Sequence, residues 1–120
     1  DLLDIHVYPG PGAPNPTDGR AGVLGEFGGL GLPMTGHTWV QKTWGYRGMA
    51  DQAELTSRYV ALLQSAYQLK DTAGLNAVIY KQTTDVETEC NGLLTYDREI
   101  VKADLQKTAD ANRGKFPPAK

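Results

Sequence analysis

The chain has almost no sulfur chemistry to offer. Cys90 is its one cysteine, so no internal disulfide can form and no thiolate metal site can be assembled. Histidine is nearly as scarce. His6 and His37 stand alone, and no spacing of His, Cys and carboxylates follows a zinc or EF-hand pattern. The expectation is therefore no metal and no cofactor. An excess of one charge is also missing: 12 Lys and Arg against 14 Asp and Glu leave a formal net charge of −2. Without a basic footprint, nucleic acid is not an expected partner. Apolar runs extend over only a few residues, so no membrane-spanning segment is expected. No signal-peptide pattern is visible, and the first residue is not Met. Asp1 leads almost directly into an apolar alternating segment, so the start reads as a cut in a longer polypeptide, and the compartment is not legible from the ends.

What is present fits a globular chain. Hydrophobic residues make up 40% and charged residues 22%, which argues against disorder. Eleven of the 14 glycines and five of the seven prolines fall in the first 50 residues, so loops must dominate that half. Leu3, Ile5 and Val7 alternate with Asp4 and His6 until Pro9-Gly10-Pro11-Gly12 stops the run, which predicts a short strand and turn. A loop over 13–20 leads to a second strand, Gly22-Val23-Leu24-Gly25-Glu26-Phe27, apolar enough to be buried on both faces. Residues 34–50 form another loop. Asp51 and Glu54 make an N-terminal capping pair. Leu55, Tyr59, Leu62, Leu63, Ala66 and Leu69 then recur at helical spacing, and Gly74 stands where a C-terminal cap belongs. This predicts a helix over roughly 51–72. A third strand follows at residues 75–80, then a polar loop over 81–96. A last helix is expected from Asp97, as N-cap, to Asn112. Residues 113–120 read as an exit linker, and no solenoid repeat is present.

Strands alternating with helices imply a parallel α/β architecture. Polar and aromatic residues gather just after the strands, the side on which a (β/α)8 barrel keeps its chemistry. Such a barrel needs about 250 residues. The expected fold is thus a partial TIM barrel: strands six to eight with their helices over residues 1–112, a fragment of a larger barrel.

Glu26 is the sharpest candidate. A carboxylate at the end of a hydrophobic strand is costly if charged and unpartnered, so it is either a structural ion-pair member or a catalytic group. His6 and Tyr8 close the preceding strand on the same side. Either they contact Glu26 and a ligand, or His6 is a satisfied core residue and Tyr8 a strand cap. Trp39, Trp44 and Tyr46 offer flat faces of the kind that stack on sugar rings, or else they pack the loop down. Thr83, Thr84, Asp85, Glu87, Glu89 and Asn91 form a dense set of donors and acceptors, suited to sugar recognition or to a solvated loop. Two patterns are decoys. Gly28-Gly29-Leu30-Gly31 lacks the Lys-Ser or Lys-Thr of a phosphate loop, and Pro33 blocks the helix that should follow. His37 has no acid or nucleophile near it in sequence to suggest a triad. Asn15-Pro16-Thr17 is not a glycosylation site because proline occupies its middle.

Four segments carry a resemblance: Asp4-Ile5-His6-Val7-Tyr8-Pro9-Gly10-Pro11, Val23-Leu24-Gly25-Glu26-Phe27-Gly28-Gly29, Tyr80-Lys81-Gln82-Thr83-Thr84-Asp85-Val86-Glu87, and Asn91-Gly92-Leu93-Leu94-Thr95-Tyr96-Asp97. In this order the chain resembles the last three barrel strands of glycoside hydrolase family 2, which includes β-galactosidases, β-mannosidases and β-glucuronidases. The resemblance implies a retaining exo-β-glycosidase, with Glu26 as nucleophile and Tyr8 orienting it. It implies that the region 80–91, with Tyr80, Gln82, Asp85, Glu87 and Asn91, lines the sugar subsite of the carbohydrate substrate. His6, Trp39 and Trp44 join them as substrate-binding candidates from their own placement and chemistry. Many members carry Trp where this chain has Tyr80 and Gln82. The family's acid/base residue follows an Asn, whereas the four asparagines here precede Pro16, Ala77, Gly92 and Arg113. The acid and the earlier strands would then belong to a missing N-terminal part of the same polypeptide, the second expected partner, and these residues alone would be inactive. Family analogy favours a periplasmic or extracellular setting over a cytoplasmic one. The competing readings are a non-catalytic carbohydrate-binding or structural barrel module, and a different barrel hydrolase using Glu26 as a base.

Overall fold

A computed structural model of the chain describes residues 1–16 and 19–118. Thr17 and Asp18, in the expected 13–20 loop, and Ala119 and Lys120, in the expected exit linker, lie outside the described residues. The elements are β1 (Leu2–Val7), β2 (Ala21–Gly28), β3 (Leu30–Gly31), β4 (Arg47–Gly48), α1 (Gln52–Ala73), β5 (Leu75–Lys81) and α2 (Leu105–Asn112). β1, β2 and β5 form a parallel sheet with β2 in the centre, and β3 and β4 make a separate parallel pair.

Pattern explains the sheet. In β1, Leu3, Ile5 and Val7 are half-buried while Asp4 and His6 are exposed, as the period of two requires when one face is covered. In the central strand, Val23, Leu24 and Phe27 are buried, with Phe27 and Leu24 wholly shielded. α1 joins this layer through Leu55, Tyr59 and Leu63, which share a core with Leu24 and Phe27, while its buried Thr56 accepts from the Asp104 N–H. Its ends follow the predicted chemistry. Asp51 Oδ1 accepts from the Glu54 N–H at 2.8 Å, and Gly74 closes the helix in a left-handed conformation (φ 67°).

The expected partial TIM barrel of three βα units does not hold. Among the described residues the structure is a mostly strand-based parallel sheet with two helices, of which α1 links sheet strands and α2 follows the last one. Between β1 and β2 runs a segment carrying Pro9, Gly10, Pro11, Gly12, Pro14 and Pro16, where a helix cannot propagate. The last helix also starts later than expected, at Leu105 with Asp104 as its cap. Asp97 instead closes a tight turn, in which its Oδ1 accepts from Thr95 Oγ1 at 2.6 Å and from the Glu99 N–H at 3.1 Å. Arg98 within that turn has φ 65°, a value incompatible with helix.

The segment after β5 folds back over the strand ends around a buried ion pair. Lys102 Nζ lies 2.6 Å from Asp85 Oδ1, with side chains 0% and 1% exposed. The same ammonium donates to the Cys90 carbonyl at 3.1 Å, and the Gly92 N–H donates to Asp85 Oδ1 at 2.8 Å. Removing one member leaves an uncompensated charge in a dry site, at a cost of about 3–5 kcal/mol. Lys102→Met is expected to lower unfolding free energy by about that amount in urea titrations, and pairing it with Asp85→Leu should recover much of the loss. An equal loss in the single and double variants would refute a charge-based cause.

The sheet leaves β5 as an open edge. A groove of about 690 Å³ runs beside it, lined by residues including Tyr59, Leu63, Ala66, Tyr67, Val78 and Tyr80. Ile79 on this strand is 59% exposed. Unpaired apolar edges template self-association. Ile79→Lys is therefore expected to reduce oligomer in sedimentation experiments at high protein concentration, and an unchanged profile would argue against this edge as the sticky surface. No described helix is long and apolar enough to cross a membrane.

Candidate active site at the strand ends

A bulge aims the candidate nucleophile. Ile5 pairs with Leu24, but His6 pairs with Glu26, so Gly25 is the extra residue on β2. The Gly25 N–H, freed from the ladder, donates to Asp4 Oδ1 at 2.8 Å. A Cβ on Gly25 would stand 2.3 Å from that oxygen, so only glycine permits this approach. The result places Glu26 beside the residues that end β1. Tyr8 Oη donates to Glu26 Oε2. His6 Nδ1 lies 3.6 Å from the same oxygen, and His6 Nε2 lies 3.2 Å from Asp4 Oδ2. Among the described residues Glu26 Oε1 accepts no hydrogen bond, and the side chain is 35% exposed. Burial first, and then the hydrogen bond to and charge of Glu26, push the Tyr8 phenol far above its ordinary pKa. Tyr8 therefore remains a proton donor to the carboxylate.

Aromatic rings wall this corner. Tyr8 and Tyr46 stack with centroids 3.7 Å apart and planes 2° from parallel, and Trp44 meets Tyr46 edge-on at 5.3 Å. Gly29 makes room, since a Cβ there would lie 2.5 Å from the Tyr46 ring. The loop that carries these rings is tied to the segment after β5. The Trp44 N–H donates to the Thr88 carbonyl, the Cys90 N–H donates to the Trp44 carbonyl, and the indole N–H reaches Thr88 Oγ1. Lys81 Nζ sits 5.7 Å from the Tyr46 centroid and 3.1 Å from Glu89 Oε1. Burial opposes its charge, but the Glu89 bond and the fields of Glu89, Glu26 and Tyr46 outweigh that, and its pKa is raised.

Of the residues expected from sequence, His6, Tyr8 and Glu26 come together, and Trp44 joins them through Tyr46. Others stand elsewhere. The Tyr80 ring packs in the core against Phe27 and Tyr59. Asp85 is the buried partner of Lys102. Asn91 is wholly buried and bridges inward, accepting from Gln82 Nε2 at 2.7 Å and donating to Glu89 Oε1 at 2.9 Å. Glu87 is exposed, with φ 51°, in the tight turn closed by Val86 and Glu89. Trp39 packs on Tyr96 at 4.9 Å. Asp4 and Lys81 were not singled out as site residues by sequence reasoning, whereas Tyr46 and Glu89 were named there among the aromatic and polar candidates. Tyr46 carried a signal, as the third aromatic of one loop. Glu89 could not be told apart from its neighbouring carboxylates.

A second polar corner forms where His37 Nδ1 meets Asp97 Oδ2 at 2.7 Å. These two and Glu99 bring ligand atoms within 4.8 Å of one another. The Thr95 hydroxyl, His37 and the Glu99 N–H hold the Asp97 carboxyl down to about 2. A depressed folded-state pKa contributes stability above the unfolded value near 3.9, and that contribution is lost as pH falls toward about 2. Stability should thus fall with pH across that window, and Asp97→Asn should flatten the decline in acid titrations followed by circular dichroism. An unaltered slope would exclude this carboxyl as a source.

Comparison with known proteins finds no matching family model and no matching curated protein.

Proposed function

We propose that this chain supplies the nucleophile of a retaining β-glycosidase of the family 2 kind. The observation that carries the reading is the Tyr8–Glu26 pair: a strand-end carboxylate held through one oxygen by a protonated phenol, its other oxygen accepting no hydrogen bond among the described residues, beside exposed aromatic rings. Glu26 Oε1 attacks the anomeric carbon of a terminal sugar, and the bond from that carbon to the leaving oxygen breaks. A second carboxylic acid protonates the leaving group and later activates water. Retaining chemistry puts it about 5–5.5 Å from the nucleophile. On this reading that acid comes from polypeptide outside this chain. Trp44 and Tyr46 provide apolar faces for the sugar.

An activated substrate isolates this half of the reaction. Dinitrophenolate leaves without protonation, so a 2,4-dinitrophenyl 2-deoxy-2-fluoro-β-glycoside needs only the nucleophile to form an ester. The expected result is one equivalent of dinitrophenolate released and a matching mass increase on the peptide containing Glu26, both absent in Glu26→Gln. No adduct with any neutral or anionic sugar would overturn the assignment. Quenching of Trp44 fluorescence by sugar without any adduct would instead favour a non-catalytic carbohydrate-binding module.

A further inference from the structure

We infer that the sugar accepted beside Glu26 is a neutral pyranoside, not a uronide, and that Glu89 sets this preference. The inference rests on the glycosidase reading and adds the substrate class to it. Its basis is the charge at the site. Three carboxylates border it: Glu26 on β2, Asp4 on β1, and Glu89 in the segment after β5. The cation that described contacts bring to this surface is Lys81, and it is already engaged. Its ammonium lies 3.1 Å from Glu89 Oε1 and 5.7 Å from the Tyr46 centroid, whose ring stacks on Tyr8, the donor to Glu26. A sugar carboxylate would thus meet net negative charge and a lysine whose charge is spent.

Glu89 is also built as an acceptor. Its side chain is 15% exposed, and Oε1 takes both the Lys81 ammonium and the Asn91 amide at 2.9 Å. Asn91 is fully buried and is itself fixed by Gln82. These bonds orient the carboxylate, and among the described residues Oε2 accepts none. An oriented carboxylate oxygen with no internal donor suits a sugar hydroxyl, which donates a charge-assisted hydrogen bond. It repels a second carboxylate.

Two matched pairs of the 2-fluoro dinitrophenyl reagents test this: glucoside with glucuronide, and galactoside with galacturonide. Within a pair the members differ only in whether C6 is an alcohol or a carboxylate. In the reactive pair, the neutral sugar should label Glu26 about a hundredfold faster at low salt. Glu89→Gln keeps the shape and frees Lys81, so it should narrow that ratio to about tenfold or less. The variant also weakens the bond to a sugar hydroxyl, so the neutral sugar should label it more slowly, and a near-ultraviolet circular dichroism spectrum matching the parent shows that the aromatic corner is still assembled. A uronide that labels as fast as its neutral partner overturns the substrate class. An unchanged ratio in Glu89→Gln overturns the role of Glu89. Failure of all four reagents and of the corresponding mannoside overturns the glycosidase reading itself, a result distinct from either of these.

Discussion

The buried bond between Lys102 and Asp85 organises everything that lies beyond β5. Two opposite charges in a dry site are tolerated only when each is also hydrogen-bonded. Here the Cys90 carbonyl and the Gly92 N–H supply those bonds. The chain from 82 to 104 must therefore coil around one point instead of running on as helix. That coil places Glu89 and Asn91 side by side, and through them it fixes Lys81 at the rim of the strand ends. A segment that reads as a solvated polar loop is in fact held from within.

The other half of the site depends on backbone freedom at glycine. One extra residue at Gly25 shifts the register between β1 and β2, so Glu26 stands opposite His6 and within reach of Tyr8. Gly29 then lets Tyr46 lie close enough to stack on Tyr8. The carboxylate and its phenol are thus positioned by sheet register, while the aromatic surface is positioned by a loop. The loop is stitched to the 88–90 segment by backbone hydrogen bonds. Strand ends, aromatic loop and polar coil meet at one corner because each is anchored to a different neighbour. The groove beside β5 lies apart from this corner and holds none of these acidic groups.

Much of the local structure was legible in the residues. The capping pair Asp51 and Glu54, the apolar spacing through Leu69, and Gly74 mark α1 almost to the residue. Leu3, Ile5 and Val7 mark β1, and the apolar run to Phe27 marks the central strand. Such signals are short-range, because a helix cap or an alternating face is decided by neighbours within a few positions. Glu26 was legible for a related reason: a charge ending an apolar strand conflicts with its surroundings and demands an explanation.

The assembly was decided by contacts that no local pattern encodes. Alternation of strands with helical spacing pointed to barrel units, yet among the described residues no helix follows β1 before β2, and β1 and β5 are left as the edges of the sheet. A helix was expected from Asp97, but the side chain of Thr95 captures that carboxylate and Lys102 is drawn inward to a partner on a distant loop. Asp85 and Glu89 look alike in sequence. One is buried beneath the site and the other faces it, because an ammonium placed by the fold reaches each from a different side. Propensity and pattern act between near neighbours and were determined by the sequence alone. The partners of the charged groups, and hence which of them can meet a ligand, were settled only once the chain had folded.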